Sequence, residues 1–175
     1  MQTGVRILFF ASAFLLFTGA YSSYQEVNYK SYTLLLHSFA KNIEWPGETG
    51  KTTFVYGVFG NSKIIAELNT LAETRKVRHM SIEVRKINTA AESEGCDIVF
   101  VPASRSSAIK EISNVTVTKP VLLVSERSGY CGKGAAICFT IDDSGVLRFD
   151  ISVTECNRHR LKVKPQLLQI ADRVY

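Results

Sequence analysis

The sequence predicts a mixed α/β fold, with a mostly parallel central sheet flanked by helices and an antiparallel hairpin towards the C-terminus. Between residues 53 and 125, short apolar runs typical of buried strands alternate with segments of helical periodicity. Such alternation is typical of parallel strands joined by helical crossovers. Further along, two apolar-rich runs flank the glycine-bearing residues 142–145, which indicates a hairpin.

The first predicted element is a helix over residues 27–44, because apolar side chains recur there at steps of three and four residues. Pro46 ends this helix, since proline disfavours helical backbone at the residue before it. A nearly continuous apolar run at residues 53–60 predicts a strand that is covered on both faces. Asn61 or Ser62 can cap the helix that follows, which carries its own apolar stripe.

The remaining elements follow from the same two periodicities. Residues 81–87 roughly alternate apolar with polar side chains, as expected of a partly exposed strand. The other predicted elements are a strand at 97–101 closed by Pro102, a helix at 104–112, a strand at 121–124, hairpin strands at 136–141 and 146–153, and a closing helix at 165–175. Pro165 suits the first turn of that helix, where proline is favoured.

Residues 1–20 have the pattern of a secretory signal peptide. Arg6 precedes a mostly apolar run at residues 7–17, and small residues follow at 18–20. The run is shorter than the roughly 20 apolar residues that a membrane-spanning helix needs. We therefore expect a cleaved signal peptide at residues 1–20 and a single exported domain at residues 21–175, with an uncleaved anchor as the alternative.

The composition is that of a globular protein. The chain has 175 residues, a formal net charge of +5 and 46% apolar residues, which excludes a disordered or collagen-like chain. Basic residues cluster at 158–164. We interpret this cluster as a solvated face, or as a contact with an acidic protein surface or lipid headgroups. No nucleic-acid partner is expected, because the chain is predicted to be exported and no aromatic-basic binding module is visible.

Four cysteines lie in the predicted exported part, where an even number favours disulfides. Cys131 and Cys138 are separated by a glycine-containing stretch that can bend sharply, so we predict a disulfide between them. Closing this short loop is worth about 2.5 kcal/mol in the chain-entropy model. Cys96 and Cys156 form a possible second disulfide; the alternative is a buried free thiol at Cys96 and a half-exposed one at Cys156.

Three other features bear on catalytic, cofactor and metal chemistry: a glycine-rich stretch, the histidines and the absence of catalytic motifs. The glycine-rich stretch 129–134 contains Lys133, but it lacks the Lys-Ser/Thr ending of a phosphate-binding loop and precedes a strand, so no nucleotide site is predicted. His37, His79 and His159 are isolated in the sequence, so we expect no metal ion. No cofactor is expected, and no Gly-x-Ser-x-Gly elbow or paired carboxylates indicate an enzyme.

Six short segments form a recognisable pattern when their order and spacing are considered together. They are FAKNIEWP at residues 39–46, GVFG at 57–60, CDIVFV at 96–101, PVLLVSE at 120–126, RFDIS at 148–152 and LKVKPQLL at 161–168. In this pattern, which runs over nearly all of the predicted mature chain, the sequence resembles the YfiR-like family of periplasmic regulatory proteins.

The resemblance implies a non-enzymatic periplasmic repressor. Such proteins bind the periplasmic sensor domain of an inner-membrane diguanylate cyclase, hold it inactive, and are sequestered by an outer-membrane lipoprotein; less cyclic di-GMP means less biofilm. The family pattern also implies homodimers and a redox response. Cys131 and Cys138 match the family's disulfide, and Cys96 matches a family cysteine whose usual partner position is Gly57 here. Cys156 can substitute for that partner, or Cys96 stays free.

The leading hypothesis is therefore a periplasmic protein that represses a membrane-bound signalling receptor by direct contact. The receptor is a diguanylate cyclase or a histidine kinase. Binding the inactive form more tightly would shift the receptor's equilibrium by that difference in affinity. Phe39 and Trp45, on and just after the opening helix, are the candidate partner contacts, although both can also be core residues.

Two other classes of function compete with this hypothesis. The carboxyl ends of strands in an open α/β sheet form a natural crevice, and Ser104, Arg105, Ser125 and Arg127 follow such ends. They are the candidate residues of a small-ligand-binding module, with helix capping and surface charge as the plain alternative. The second competitor is an enzyme, such as a hydrolase.

Overall fold

The computed structural model describes residues 28–175; the predicted signal peptide at residues 1–20 lies outside these residues. Within them, the helices are α1 Tyr29–Asn42, α2 Ile64–Thr74, α3 Ile109–Thr116, α4 Val153–Arg158 and α5 Pro165–Gln169. The strands are β1 Ile43–Glu44, β2 Thr53–Phe59, β3 Ser81–Ile87, β4 Ile98–Val101, β5 Leu122–Ser125, β6 Ile137–Ile141, β7 Leu147–Ile151, β8 Lys162–Val163 and β9 Arg173–Val174. Two 3-10 helices lie at Ala91–Gly95 and Ala103–Ala108.

Seven strands form the central sheet, in the order β3-β2-β4-β5-β6-β7-β9. Every neighbouring pair in this order is parallel except β6 with β7, which form the antiparallel hairpin. The short strands β1 and β8 make a separate antiparallel pair. The predicted mixed, mostly parallel α/β fold with a C-terminal hairpin is confirmed.

Alternate residues of the central strands enter two different cores. Ile98 and Phe100 of β4 belong to a first core, while Val99 and Val101 belong to a second core on the other face. Successive side chains of a strand point to opposite faces. The central strands are apolar at nearly every position because both faces are covered, as expected of a parallel sheet.

Helix α1 covers the first core and is held there mainly by aromatic contacts. Tyr32 packs on Phe139 with ring centroids 4.6 Å apart, and Phe39 packs edge-on against Phe149 at 4.8 Å. Burying one such side chain contributes on the order of 1.5–3 kcal/mol. The opening helix is therefore anchored on the β6–β7 hairpin, far along the chain.

The opening and closing helices are both shorter than predicted. The opening helix ends at Asn42 because Ile43–Glu44 pairs with Lys162–Val163. The closing helix is also shorter, since it ends at Gln169 and the chain then continues as β9 beside β7. The backbone of β7 supplies the reason: the carbonyl of Phe149 accepts from the N–H of Asp172 at 2.8 Å, so the tail satisfies backbone groups at the open edge of β7.

Helix α4 was not predicted. Residues 146–153 were expected to be one strand, but the strand ends at Ile151 and a helix begins at Val153. Ser152 caps this helix, because its hydroxyl accepts a hydrogen bond from the N–H of Glu155 at 3.2 Å.

Candidate functional site

Cys131 and Cys138 lie next to one another at the start of the hairpin. Cys138 is buried on β6. Cys131 lies in a tight loop, where its backbone pairs with that of Ala135 as an isolated β-bridge. The thiol of Cys131 also lies 3.4 Å from the carbonyl oxygen of Asp150 on β7. The structure therefore brings together the two residues predicted to form a disulfide, and both are thiols here.

Electrostatics give this pair its chemical character. The pKa of Cys131 is raised far above that of a free thiol by its hydrogen bond with Cys138 and then by burial, with Asp150 and Cys156 adding to the effect. A thiol with a raised pKa is a poor nucleophile near neutral pH. Cys131 is therefore held in its protonated, less nucleophilic form.

The other two cysteines are not brought together. Cys96 lies in the second core and Cys156 in the first, so the sheet separates them. Burial raises the pKa of Cys96 to about 11 and that of Cys156 to about 12. A disulfide between Cys96 and Cys156 is incompatible with this geometry, and Cys156 is completely buried, not half-exposed as the sequence suggested.

Phe39 and Trp45, the predicted partner contacts, are both core residues. Phe39 has no exposed surface and Trp45 retains only 6%. The indole N–H of Trp45 donates to the carbonyl of Asp97 at 3.2 Å, and its ring stands edge-on to Phe54 at 5.1 Å. Both side chains are thus placed in the first core, the alternative that the sequence left open, and their apolar surface and the indole N–H are already in use there.

The four predicted crevice residues do share one edge of the sheet, where β4 and β5 end. Ser104, Arg105 and Arg127 are exposed, and the Arg105 side chain packs over Gly60 at the end of β2. Ser125 is buried, and its hydroxyl accepts from the N–H of Arg127 at 3.1 Å and donates to the carbonyl of Arg127 at 2.8 Å. Ser125 therefore shapes the turn, whereas the exposed Arg105 and Arg127 present positive charge at this edge.

Three further polar residues, Tyr29, Ser62 and Glu126, lie at the same edge and were not predicted as site residues. The carboxylate of Glu126 accepts from the N–H of Ala103 at 2.7 Å, and Tyr29 hydrogen-bonds to Glu126 and Ser62. Burial and the charge of Glu126 raise the pKa of Tyr29, and the same two effects raise that of Tyr32 to about 12. Nothing in the sequence signals this cluster, because α1 reaches it only through the folding of the whole chain.

The fold and these sites define a class of protein, a mixed α/β domain with a thiol pair and a polar strand edge. Among residues 28–175, no three His, Cys, Asp or Glu side chains are grouped so that they could hold a metal ion. No helix of the same residues is long and apolar enough to cross a membrane.

A family model described as YfiR/HmsC-like matches residues 29–172. The chain therefore belongs to the YfiR/HmsC-like family. Proteins of this family are periplasmic regulators of the cyclic di-GMP pathway, and they are regulatory rather than catalytic.

Two solved structures share the fold. A conserved domain protein from Vibrio cholerae superposes with a TM-score of 0.56 at 10% identity, covering 85% of this chain and 60% of that one. An ABC domain from Streptococcus pneumoniae, solved in complex with L-Trp, superposes with a TM-score of 0.55 at 10% identity, covering 84% of this chain and 60% of that one. The chain thus spans about 60% of the length of each, and identities this low show a common fold alone.

Proposed function

We propose that the mature chain represses a membrane-bound receptor of the diguanylate cyclase type by binding the receptor's periplasmic domain. The observation that carries this proposal is the match to the regulatory YfiR/HmsC-like family over residues 29–172. The proposal includes a cleaved signal peptide at residues 1–20 and a single domain at residues 21–175. A histidine kinase is the alternative receptor.

Repression follows from a difference in affinity. A ligand shifts a two-state receptor only by its preference for one state. Moving a receptor from 99% active to 99% inactive needs about a 10⁴-fold preference for the inactive form. An outer-membrane lipoprotein that competes for the same repressor would remove that bias, and homodimers would present two contact surfaces.

A surface other than the buried Phe39 and Trp45 would have to make this contact. Among residues 28–175, five of the six exposed large apolar side chains lie on the β6–β7 hairpin and the segment after α5: Ile141, Val146, Ile170, Val174 and Tyr175. We call them the hairpin–tail surface. Large apolar side chains grouped on a surface are characteristic of protein interfaces.

Strand pairing places part of this surface on one face. Ile141 pairs with Leu147 across the hairpin, and Val174 pairs with Ile151. Leu147 packs against the first core and Ile151 belongs to it, so Ile141 and Val174 project on that same side of the sheet. Ile141 lies on β6 and Val174 on the edge strand β9, so the two side chains flank β7 on this face.

The test is co-purification of the receptor's periplasmic domain with purified mature protein. We expect the double variant Ile141→Glu, Val174→Glu to lose the receptor while remaining folded. Leu34→Glu is the matched control, because Leu34 is 55% exposed on α1 and lies outside the hairpin–tail surface. Failure of the unaltered protein to retain any membrane sensor would contradict the proposed function, whereas equal loss in both variants would contradict only the proposed surface.

A second candidate function is a small-ligand-binding module at the carboxyl ends of the strands. The cluster of Tyr29, Ser62 and Glu126, with Arg105 at the same edge, favours it. Thermal unfolding in the presence of single amino acids, L-Trp among them, tests this alternative. A saturable rise in Tm that Glu126→Gln removes would support it.

A further inference from the structure

A surface cavity of about 390 Å³ lies where three segments meet. Helix α3, the loop between Cys131 and Cys138, and helix α4 each contribute to its wall. The residues that matter here are Lys110 and Ser113 from α3, Lys133 and Gly134 from the loop, and Glu155 and Arg158 from α4. The cavity is separate from the strand edge and from the hairpin–tail surface.

The charge of the cavity is positive. Lys110, Lys133 and Arg158 come from three different segments, and Glu155 is the one acidic residue in the wall. Arg158 pairs with Glu155 at 3.5 Å. Lys110 and Lys133 make no ion pair with any residue in the described part of the chain, so their charges remain available to a ligand.

Ser113 is an independent sign of a ligand. It is only 2% exposed, it lines the cavity, and its hydroxyl has no hydrogen-bond partner among residues 28–175. A buried polar group left without a partner costs about 1–3 kcal/mol. An acceptor atom in the cavity would satisfy this donor.

Gly134 explains why the loop can come so close to Ser113. A β-carbon at Gly134 would lie 3.1 Å from the Ser113 Cβ and 3.3 Å from its Oγ, which is too tight for a packed pair. The φ angle of Gly134 is +113°, which other residues rarely adopt. The glycine thus lets the cationic loop close over a helical hydroxyl without filling the space between them.

We propose that this cavity binds a small oxyanion of the phosphate class. Lys110 and Lys133 supply the opposite charge, and the hydroxyl of Ser113 donates a hydrogen bond to an anion oxygen. Charge-assisted hydrogen bonds of this kind are among the strongest that proteins make to phosphate. The site is not a nucleotide-binding loop, because strand β6 follows the glycines. It goes beyond the proposed repressor function and does not depend on it.

The experiment is calorimetric titration of the mature protein with inorganic phosphate in a phosphate-free buffer at constant ionic strength. We expect saturable binding that the double variant Lys110→Gln, Lys133→Gln weakens by about tenfold or more. Ser113→Ala should weaken it by about fivefold, because one donor is lost while the charge is kept. Lys86→Gln is the control, since it removes an exposed charge from edge strand β3, and it should change affinity less than about twofold.

A second arm identifies the source of the anion. Vesicles containing an anionic phospholipid are tested beside free phosphate with the same variants. Binding of free phosphate that depends on Lys110 and Lys133 assigns a soluble oxyanion, while binding of vesicles alone with that dependence assigns a headgroup. If neither probe binds saturably, or if Lys86→Gln weakens binding as much as the double variant does, the proposal is overturned. Thermal unfolding of each variant confirms that it is folded.

Discussion

Gly57 faces the thiol of Cys96 so closely that a β-carbon added to Gly57 would lie 2.6 Å from the Cys96 Sγ. Gly57 is in the middle of β2, and Cys96 precedes β4, which is the parallel neighbour of β2. The Cβ atom of a real side chain would also come within 3.3 Å of the Ile87 side chain. The two positions are therefore apposed as a cross-linking pair would be, although only one of them is a cysteine.

The first prediction follows from that apposition. Gly57→Cys should form a disulfide with Cys96 under oxidising conditions, because the Cβ at residue 57 lies next to the Cys96 sulfur and a small shift of the Cys96 side chain relieves the 2.6 Å contact. Peptide mapping without reductant should recover the two segments joined. Gly57→Ala is the control: it adds the same β-carbon without the bond, and overpacking should lower the free energy of unfolding by about 1–3 kcal/mol. A Gly57→Cys protein whose two thiols both react with a labelling reagent after oxidation and unfolding would contradict this.

The second prediction concerns Cys131 and Cys138. Their thiols interact directly, so mild oxidation should join them and leave Cys96 and Cys156 reduced. Alkylation of the unfolded protein without reductant should then label two cysteines, and reduction should expose the others. Cys131→Ser should lose about 2.5 kcal/mol of stability relative to the oxidised protein. Four labelled cysteines in protein taken from an oxidising compartment would exclude the bond.

The third prediction separates the core role of Trp45 from a role in binding. Trp45→Phe keeps most of the apolar contact with Phe54 but removes the indole N–H that donates to the carbonyl of Asp97, which keeps its hydrogen bond from the N–H of Leu122 at 2.8 Å. We expect the free energy of unfolding to fall by about 0.5–1.5 kcal/mol in chemical denaturation, because one hydrogen bond is lost. Receptor binding by the folded variant should be unchanged. A Trp45→Phe variant that has normal stability but no longer binds the receptor would show that Trp45 takes part in the contact.

The fourth prediction is a pH dependence due to His37. Burial, together with the charges of Lys41 and Arg75, lowers the pKa of His37 below its ordinary value of 6.5. Just below pH 6.5, the histidine is therefore more protonated in the unfolded chain than in the folded one. The free energy of unfolding consequently falls as the pH decreases from 6.5 towards the lowered pKa of the folded state. Denaturation at a series of pH values should show this slope, and His37→Gln should flatten it. An unchanged slope in His37→Gln would assign the effect to other groups.

Local patterns were sufficient for the central sheet. The run at 53–60 became β2 at Thr53–Phe59, and the alternation at 81–87 became the partly exposed edge strand β3. Both predictions are confirmed because a strand covered on both faces is apolar at nearly every position, whereas a strand covered on one face alternates apolar and polar residues. The turn at Asp142–Gly145 was also predictable from local sequence. The Asp142 carboxylate stabilises it by accepting hydrogen bonds from the backbone N–H groups of Ser144 and Val146.

The predictions that differ from the structure share one cause: contacts with distant parts of the chain decide the structure of these segments. The tail was predicted to be helical, but Arg173–Val174 pairs with β7 because that strand offers unpaired backbone groups. Trp45 and Phe39 have the apolar character of contact residues, yet the first core absorbs them. Apolar character alone does not distinguish an exposed contact from a core residue, since burial depends on what packs above it.

By itself, the sequence determined the α/β class, the order of the principal strands, the hairpin and the resemblance to the YfiR-like family, because these depend on periodicity and on short segments in a given order. Only the tertiary structure decided which cysteines meet, which aromatic residues are buried, and that Lys110, Ser113 and Lys133 surround one cavity. Those facts depend on distances between residues far apart in the chain, and such distances are set by how the helices and loops pack on the two faces of the sheet.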